Sequence, residues 1–123
     1  MQKIEFSVFD ECSYHWFDFV SEAADAYEQS FREVQLEEQL GFKYHFVIEH
    51  QGHPVGQIQT PSVYLAALAR RTSTIRIGAM VYPLPFYNPL RLAMDCAMVD
   101  QLSRGRLEFG AGVGGGTGEE DEI

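Results

Sequence analysis

Positive charge is scarce in this chain of 123 residues: nine Lys and Arg stand against eighteen Asp and Glu, a net charge of −9. So acidic a protein is poorly suited to nucleic acid, where affinity comes from cations that neutralise phosphates. Cysteine is also rare. Cys12 and Cys96 form no metal-type spacing, which fits two packed, reduced thiols in a cytoplasmic protein rather than a disulfide scaffold. Long apolar runs are missing too. The uncharged stretch 77–90 has 14 residues and contains Pro83, Pro85 and Pro89, too short and too broken for a bilayer span of about 20 residues. The opening Met1-Gln2-Lys3-Ile4-Glu5-Phe6 lacks the apolar core of a signal peptide. What is left is ordinary globular usage, 46% apolar and 22% charged, with length for one modest domain.

The charge is unevenly spread. Residues 1–61 carry eleven acids and three bases, residues 62–118 three acids and six arginines, and the last five residues four more acids. This predicts an acidic, solvated helix early in the chain and a basic patch later.

Local patterns supply the elements. Ile4-Glu5-Phe6-Ser7-Val8-Phe9 alternates and then closes on an apolar pair, which predicts a strand. Residues 25–40 predict a helix, with Asp25 and Glu28 spaced as a capping box, Gly41 as its stop and Phe42 folding back on the last turn. Residues 43–48, rich in aromatic and β-branched side chains, predict a second strand. Thr60-Pro61 reads as an N-cap followed by proline at the first helical position, opening a helix over 62–71. Residues 74–81 predict a third strand. Asn88-Pro89 repeats the capping device before a helix that ends near residue 102. Residues 106–109 predict a fourth strand running into the glycine-rich segment 110–116. The order β-α-β-α-β-α-β, with long crossovers, implies parallel pairing in an α/β fold. A doubly wound open sheet and part of an eight-stranded barrel both fit.

Three constellations carry possible chemistry. Gly110, Gly112 and Gly115 satisfy the G-x-G-x-x-G pattern of a dinucleotide site. No strand follows to carry a ribose-binding acid, which favours a glycine-heavy turn at a strand end. His45, Glu49, His50 and His53 invite a metal hypothesis, yet their spacing matches no zinc motif and His45 falls inside a predicted strand; no metal is expected. His50 stands apart, just past the C-terminal end of the second strand, where parallel α/β folds gather ligands and catalytic side chains. The third is the charge-free segment 78–90, apolar and stiffened by proline, which suits a flat heteroaromatic ring, a core or a subunit interface.

At this point the chain resembles the bacterial luciferase-like flavin monooxygenases over residues 4–116. The likeness rests on four blocks in order. Gly41-Phe42 precedes the strand ending Glu49-His50. Leu65-Ala66-Ala67-Leu68-Ala69 stands with Arg71-Thr72-Ser73. Ile75-Arg76-Ile77-Gly78 stands with Leu84-Pro85 and Asn88-Pro89-Leu90-Arg91. Met98-Val99-Asp100-Gln101-Leu102-Ser103-Arg104-Gly105-Arg106-Leu107, followed by Phe109-Gly110, is the most specific.

The resemblance implies a TIM (β/α)8 barrel, of which 1–123 would form a single partial domain with about four parallel strands and three helices. Such a barrel needs about 250 residues, so the chain is expected to be an N-terminal fragment, with 117–123 an acidic tail at the truncation point. It implies reduced FMN, supplied by a separate flavin reductase, and O2 that oxidises a small organic substrate; a deazaflavin serves in some relatives. His50 matches the family's active-site histidine, a general acid/base, and Gln51 stands where many members have a second histidine. Ala79, Met80 and Val81 match the cofactor-binding site after strand three, often marked by a non-proline cis peptide. Gly112 and Val113 match the end of strand four, where luciferase has an arginine for the flavin phosphate. Phe9 would line the floor of the substrate pocket, and Arg91 is expected on the surface. Homo- or hetero-oligomers are expected, because an open sheet leaves edges and one face bare. A deazaflavin-dependent oxidoreductase and a non-catalytic fragment are the competing readings.

Overall fold

The computed structural model describes residues 4–12, 23–51 and 58–114. Within them run β1 (Ser7–Asp10), α1 (Ala23–Leu40), β2 (Tyr44–Val47), α2 (Pro61–Ala69), β3 (Arg76–Pro83), a 3-10 turn (Leu84–Phe86), α3 (Pro89–Ser103) and β4 (Leu107–Gly112). Each strand is parallel to the next, in the order β1-β2-β3-β4. That order decides between the two architectures left open above. A doubly wound sheet reverses direction at a switch point, whereas this sheet advances one strand per unit, as the wall of a (β/α) barrel does.

Strand alternation sorts the side chains. Val47, Ile77 and Ala79 are wholly buried and meet Phe31 and Val34 of α1, Leu65 and Leu68 of α2, and Leu92 and Val99 of α3 in one cluster. The other face carries Phe9 and Met80, 52% and 47% exposed. Cys12 and Cys96 are both free and buried, as their packing role requires. Among the described residues no helix is long and apolar enough to cross a membrane.

Several boundaries differ from expectation for identifiable reasons. Helix α1 begins at Ala23, so Asp25 lies inside its first turn and no capping box forms. Glu28 is instead gripped by both terminal nitrogens of Arg71, at 2.7 and 2.5 Å, because a guanidinium fork suits a carboxylate better than one amide does. Thr60 precedes α2, but its side chain caps nothing; its carbonyl accepts the Val63 amide at 3.0 Å. Asn88 does cap α3, accepting the Arg91 amide at 3.1 Å. Strand β3 starts at Arg76 rather than 74, because Glu38 takes the Thr74 and Ile75 amides at 2.5 and 2.9 Å. Strand β1 starts at Ser7 rather than at residue 4; ahead of it the Phe6 carbonyl accepts the Lys43 amide at 2.8 Å, just before β2. Strand β4 continues through Gly110 to Gly112, so these two glycines belong to a strand rather than to the expected turn; Gly115 lies outside the described residues.

Candidate functional site

Parallel strands all end at one edge, and register fixes the level of each residue there. Phe9 is level with Phe46, Phe46 with Gly78, and Gly78 with Glu108. Met80 follows two residues after Gly78, which puts Phe9 about 7 Å deeper along the strand direction at a rise of about 3.3 Å per residue. Phe9 is thus on the open face, below the level of Met80.

Between the pairs Ala79–Phe109 and Tyr82–Ala111 the register shifts. Strand β3 spends two residues, Met80 and Val81, where β4 spends one, a bulge that re-aims side chains at a sheet edge. The Met80–Val81 peptide is cis. Val81 and Gly112 are brought together: a Cβ on Gly112 would lie 2.6 Å from Val81 Cγ2, too close unless the Val81 side chain rotates. Gly78 meets the backbone of Glu108 in the same way. Ala79 is not part of that surface through its side chain, which is wholly buried among the helices. Val113, just past β4, is 78% exposed.

The end of β2 is tied on both sides. Asp10 accepts the Ile48 amide at 3.2 Å, and the His50 amide donates to the Ile58 carbonyl at 3.3 Å. Glu49, only 6% exposed, accepts the Tyr87 hydroxyl at 2.5 Å and the Gln51 side-chain amide at 2.7 Å. Burial, then the hydrogen bond and charge of Glu49, push the Tyr87 phenol far above its ordinary value. His50, half-buried between Glu49 and Gln51, completes this corner. Glu49 and Tyr87 escaped the sequence reading as a pair; the available signal was one acid ahead of a long uncharged stretch.

The histidine cluster is divided. His45 is buried beneath α1 with Nδ1 2.8 Å from Glu37 Oε2, away from the Glu49–Tyr87 contact. Among the described residues no group of three or more metal-type ligands forms, and His53 lies outside them. Burial, then the charge of Asp10, raise the Cys12 thiol to about 11, the direction that disfavours a thiolate. Arg91 is on the surface, paired with Asp95 at 3.2 Å.

The sequence model of the luciferase-like monooxygenase family matches residues 12–122. Limonene 1,2-monooxygenase of Rhodococcus erythropolis is 36% identical over 99 residues, 80% of this chain and 26% of that protein. The oxygenase component of flavin-dependent trigonelline monooxygenase from Acinetobacter baylyi is 30% identical over 72% of this chain and 24% of its own length. Among solved structures, the oxygenating constituent of 3,6-diketocamphane monooxygenase from Pseudomonas putida, a complex with FMN, superposes with a TM-score of 0.82. It shares 21% identity over 93% of this chain and 30% of its own, a likeness of fold. The chain therefore spans about a quarter to a third of the proteins it matches.

Proposed function

Because the chain belongs to the luciferase-like monooxygenase family, we propose that its strand ends form part of a flavin site in an enzyme that uses reduced FMN and O2 to oxidise a small organic molecule. The observation that carries this reading is convergence: His50, the Met80–Val81 bulge and Gly112 all stand at one edge of a parallel sheet, where such folds hold their ligands.

The residues fit a flat apolar ring. Phe9 and Met80 present exposed apolar surface on the open face, Val113 is exposed just past β4, and Gly112, with no side chain of its own, lets Val81 pack directly against β4. When bound, reduced FMN would supply the electrons that activate oxygen. The chain's own part is to hold the ring, exclude water and move one proton. Met80, Val81 and Phe9 keep the pocket dry, which protects a reactive centre from solvent. His50 accepts or returns the proton at an imidazole nitrogen. Gln51 is not ionisable, so among the described residues of this corner His50 alone carries an imidazole. Val113 brings no cation to the phosphate; amides at the glycine-rich end of β4 serve in its place. The electrons come from a separate flavin reductase, a reading supported by the Acinetobacter relative's designation as an oxygenase component.

Titration with FMN and turnover with NADH, a flavin reductase and O2 test this reading. His50→Ala should keep FMN affinity within a few-fold and lower turnover about 100-fold or more. Undiminished turnover in that variant removes His50 from the reaction. Binding of a deazaflavin but not FMN would replace oxygenation by hydride transfer, and binding of neither would end the flavin reading.

A further inference from the structure

We infer that Glu49 and Tyr87 are positioning residues, locking the end of β2 that leads to His50 to the segment that follows β3, the strand that carries Met80 and Val81. The inference rests on the flavin-site reading above and adds to it two residues that touch neither ring nor substrate.

Three observations meet. First, Glu49 and Gln51 flank His50, and the Gln51 amide reaches the Glu49 carboxylate at 2.7 Å. The side chains on both sides of the histidine are thereby tied to one point, which restricts how the backbone between them can turn. Glu49 is buried, so the backbone that carries His50 is anchored from a fixed point inside the fold.

Second, the other oxygen of that carboxylate takes the Tyr87 hydroxyl at 2.5 Å. Tyr87 closes the 3-10 turn after β3, its amide donating to the Leu84 carbonyl at 3.1 Å. A phenol held protonated donates at every working pH, and a hydrogen bond to a buried carboxylate is among the stronger ones. Third, Tyr87 does not stand alone. Its ring lies edge-on to Tyr82 at 5.7 Å, and Tyr82 stacks on Phe109 of β4 at 5.4 Å. The Tyr82 hydroxyl is also 3.2 Å from Ser62 of α2. Glu49, Tyr87, Tyr82 and Phe109 thus form a continuous line behind the ends of β2, β3 and β4, on the side away from the proposed ring. Loosening one end lets the β2 corner and the bulge move independently, and misplacement of about 1 Å is costly in such sites.

The test uses the protein labelled with 15N-histidine, its His50 ring signals assigned by their disappearance in His50→Gln. Tyr87→Phe, Glu49→Gln and the double variant are compared without flavin and then in FMN titrations. Each single variant should move or broaden the His50 ring signals and weaken FMN binding about tenfold. The double variant should be no worse than Glu49→Gln, since the two groups act as one unit. Unchanged His50 signals and FMN affinity, even with a lower melting temperature, would overturn the inference and leave the pair a purely structural contact. Should Glu49→Gln fail to fold, Tyr87→Phe, which keeps the ring packing, decides alone. A native protein that takes up no flavin counts against the functional reading, and the flavin-free His50 signals then decide the positioning claim.

Discussion

The carboxylate of Glu38 accepts the backbone amide of Ile75 at 2.9 Å, and it also takes the amides of Ser73 and Thr74 and the Thr74 hydroxyl. One side chain of α1 thus gathers the turn that leads into β3. Burial pushes its carboxyl upward, but the donors of Thr74, Ile75 and Ser73 outweigh that and hold it below the usual carboxylate range.

A carboxyl lowered on folding contributes stability that is complete above its unfolded value, about 4.3, and is lost as pH falls through the folded value. Glu38→Gln should cost about 1 kcal/mol at pH 7, because the site is partly screened by solvent. The gap to the native chain should close in acid. Melting curves between pH 7 and pH 3 check this; a gap independent of pH would refute it.

Arg106 is nearly buried, and its guanidinium answers five oxygens: the carbonyls of Ser103 and Ile75 at 2.7 Å, Ala69 at 3.0 Å and Thr72 at 3.1 Å, and the Thr72 hydroxyl at 2.9 Å. The Ala69 and Ser103 carbonyls are groups left open where α2 and α3 end, and Thr72 and Ile75 belong to the turn between α2 and β3. Lysine keeps the charge but has no planar fork. Arg106→Lys should therefore lose about 2–4 kcal/mol in urea unfolding. A loss below about 1 kcal/mol would show that the fork is dispensable.

Two glycines at the β3–β4 seam should respond differently to alanine. At Gly78 the new methyl meets backbone of Glu108, which cannot yield without opening the ladder, so Gly78→Ala should destabilise by about 2–4 kcal/mol. At Gly112 it meets the Val81 side chain, which can rotate. Gly112→Ala should leave unfolding nearly unchanged and weaken FMN binding several-fold. Equal effects of both variants on stability would contradict the seam as described.

Phe9 and Met80 are exposed on the open face, and Leu90, Met94, Met98 and Leu102 are exposed along α3. Apolar surface of this extent drives association. The 123-residue chain should sediment as oligomers at micromolar concentration and dissociate in mild denaturant. A monomer that persists to high concentration would show that the exposed residues are tolerated singly.

Element type and order were legible in the sequence because they depend on local spacing. Asn88-Pro89 marked the start of α3 correctly, and the aromatic, β-branched run at 43–48 marked β2. The capping box at Asp25 failed because Glu28 had a better partner, Arg71, 43 residues away; no local pattern contains that competitor. The start of β3 moved for the same reason, its amides claimed by Glu38 from another element. At the site, His50 was visible as a histidine just past a strand, whereas its neighbour Glu49 gains meaning only through Tyr87, 38 positions on.

The order of strands along the chain, the helical punctuation and the glycines that allow close strand approach are properties of short stretches, and the amino acids alone determined them. Which buried carboxylate meets which phenol, which face of the sheet stays open, and that Ala79 turns inward while Met80 turns out were decided only in three dimensions. Hydrogen bonds between distant segments are chosen by competition among all partners that folding brings within reach, and that competition has no local record.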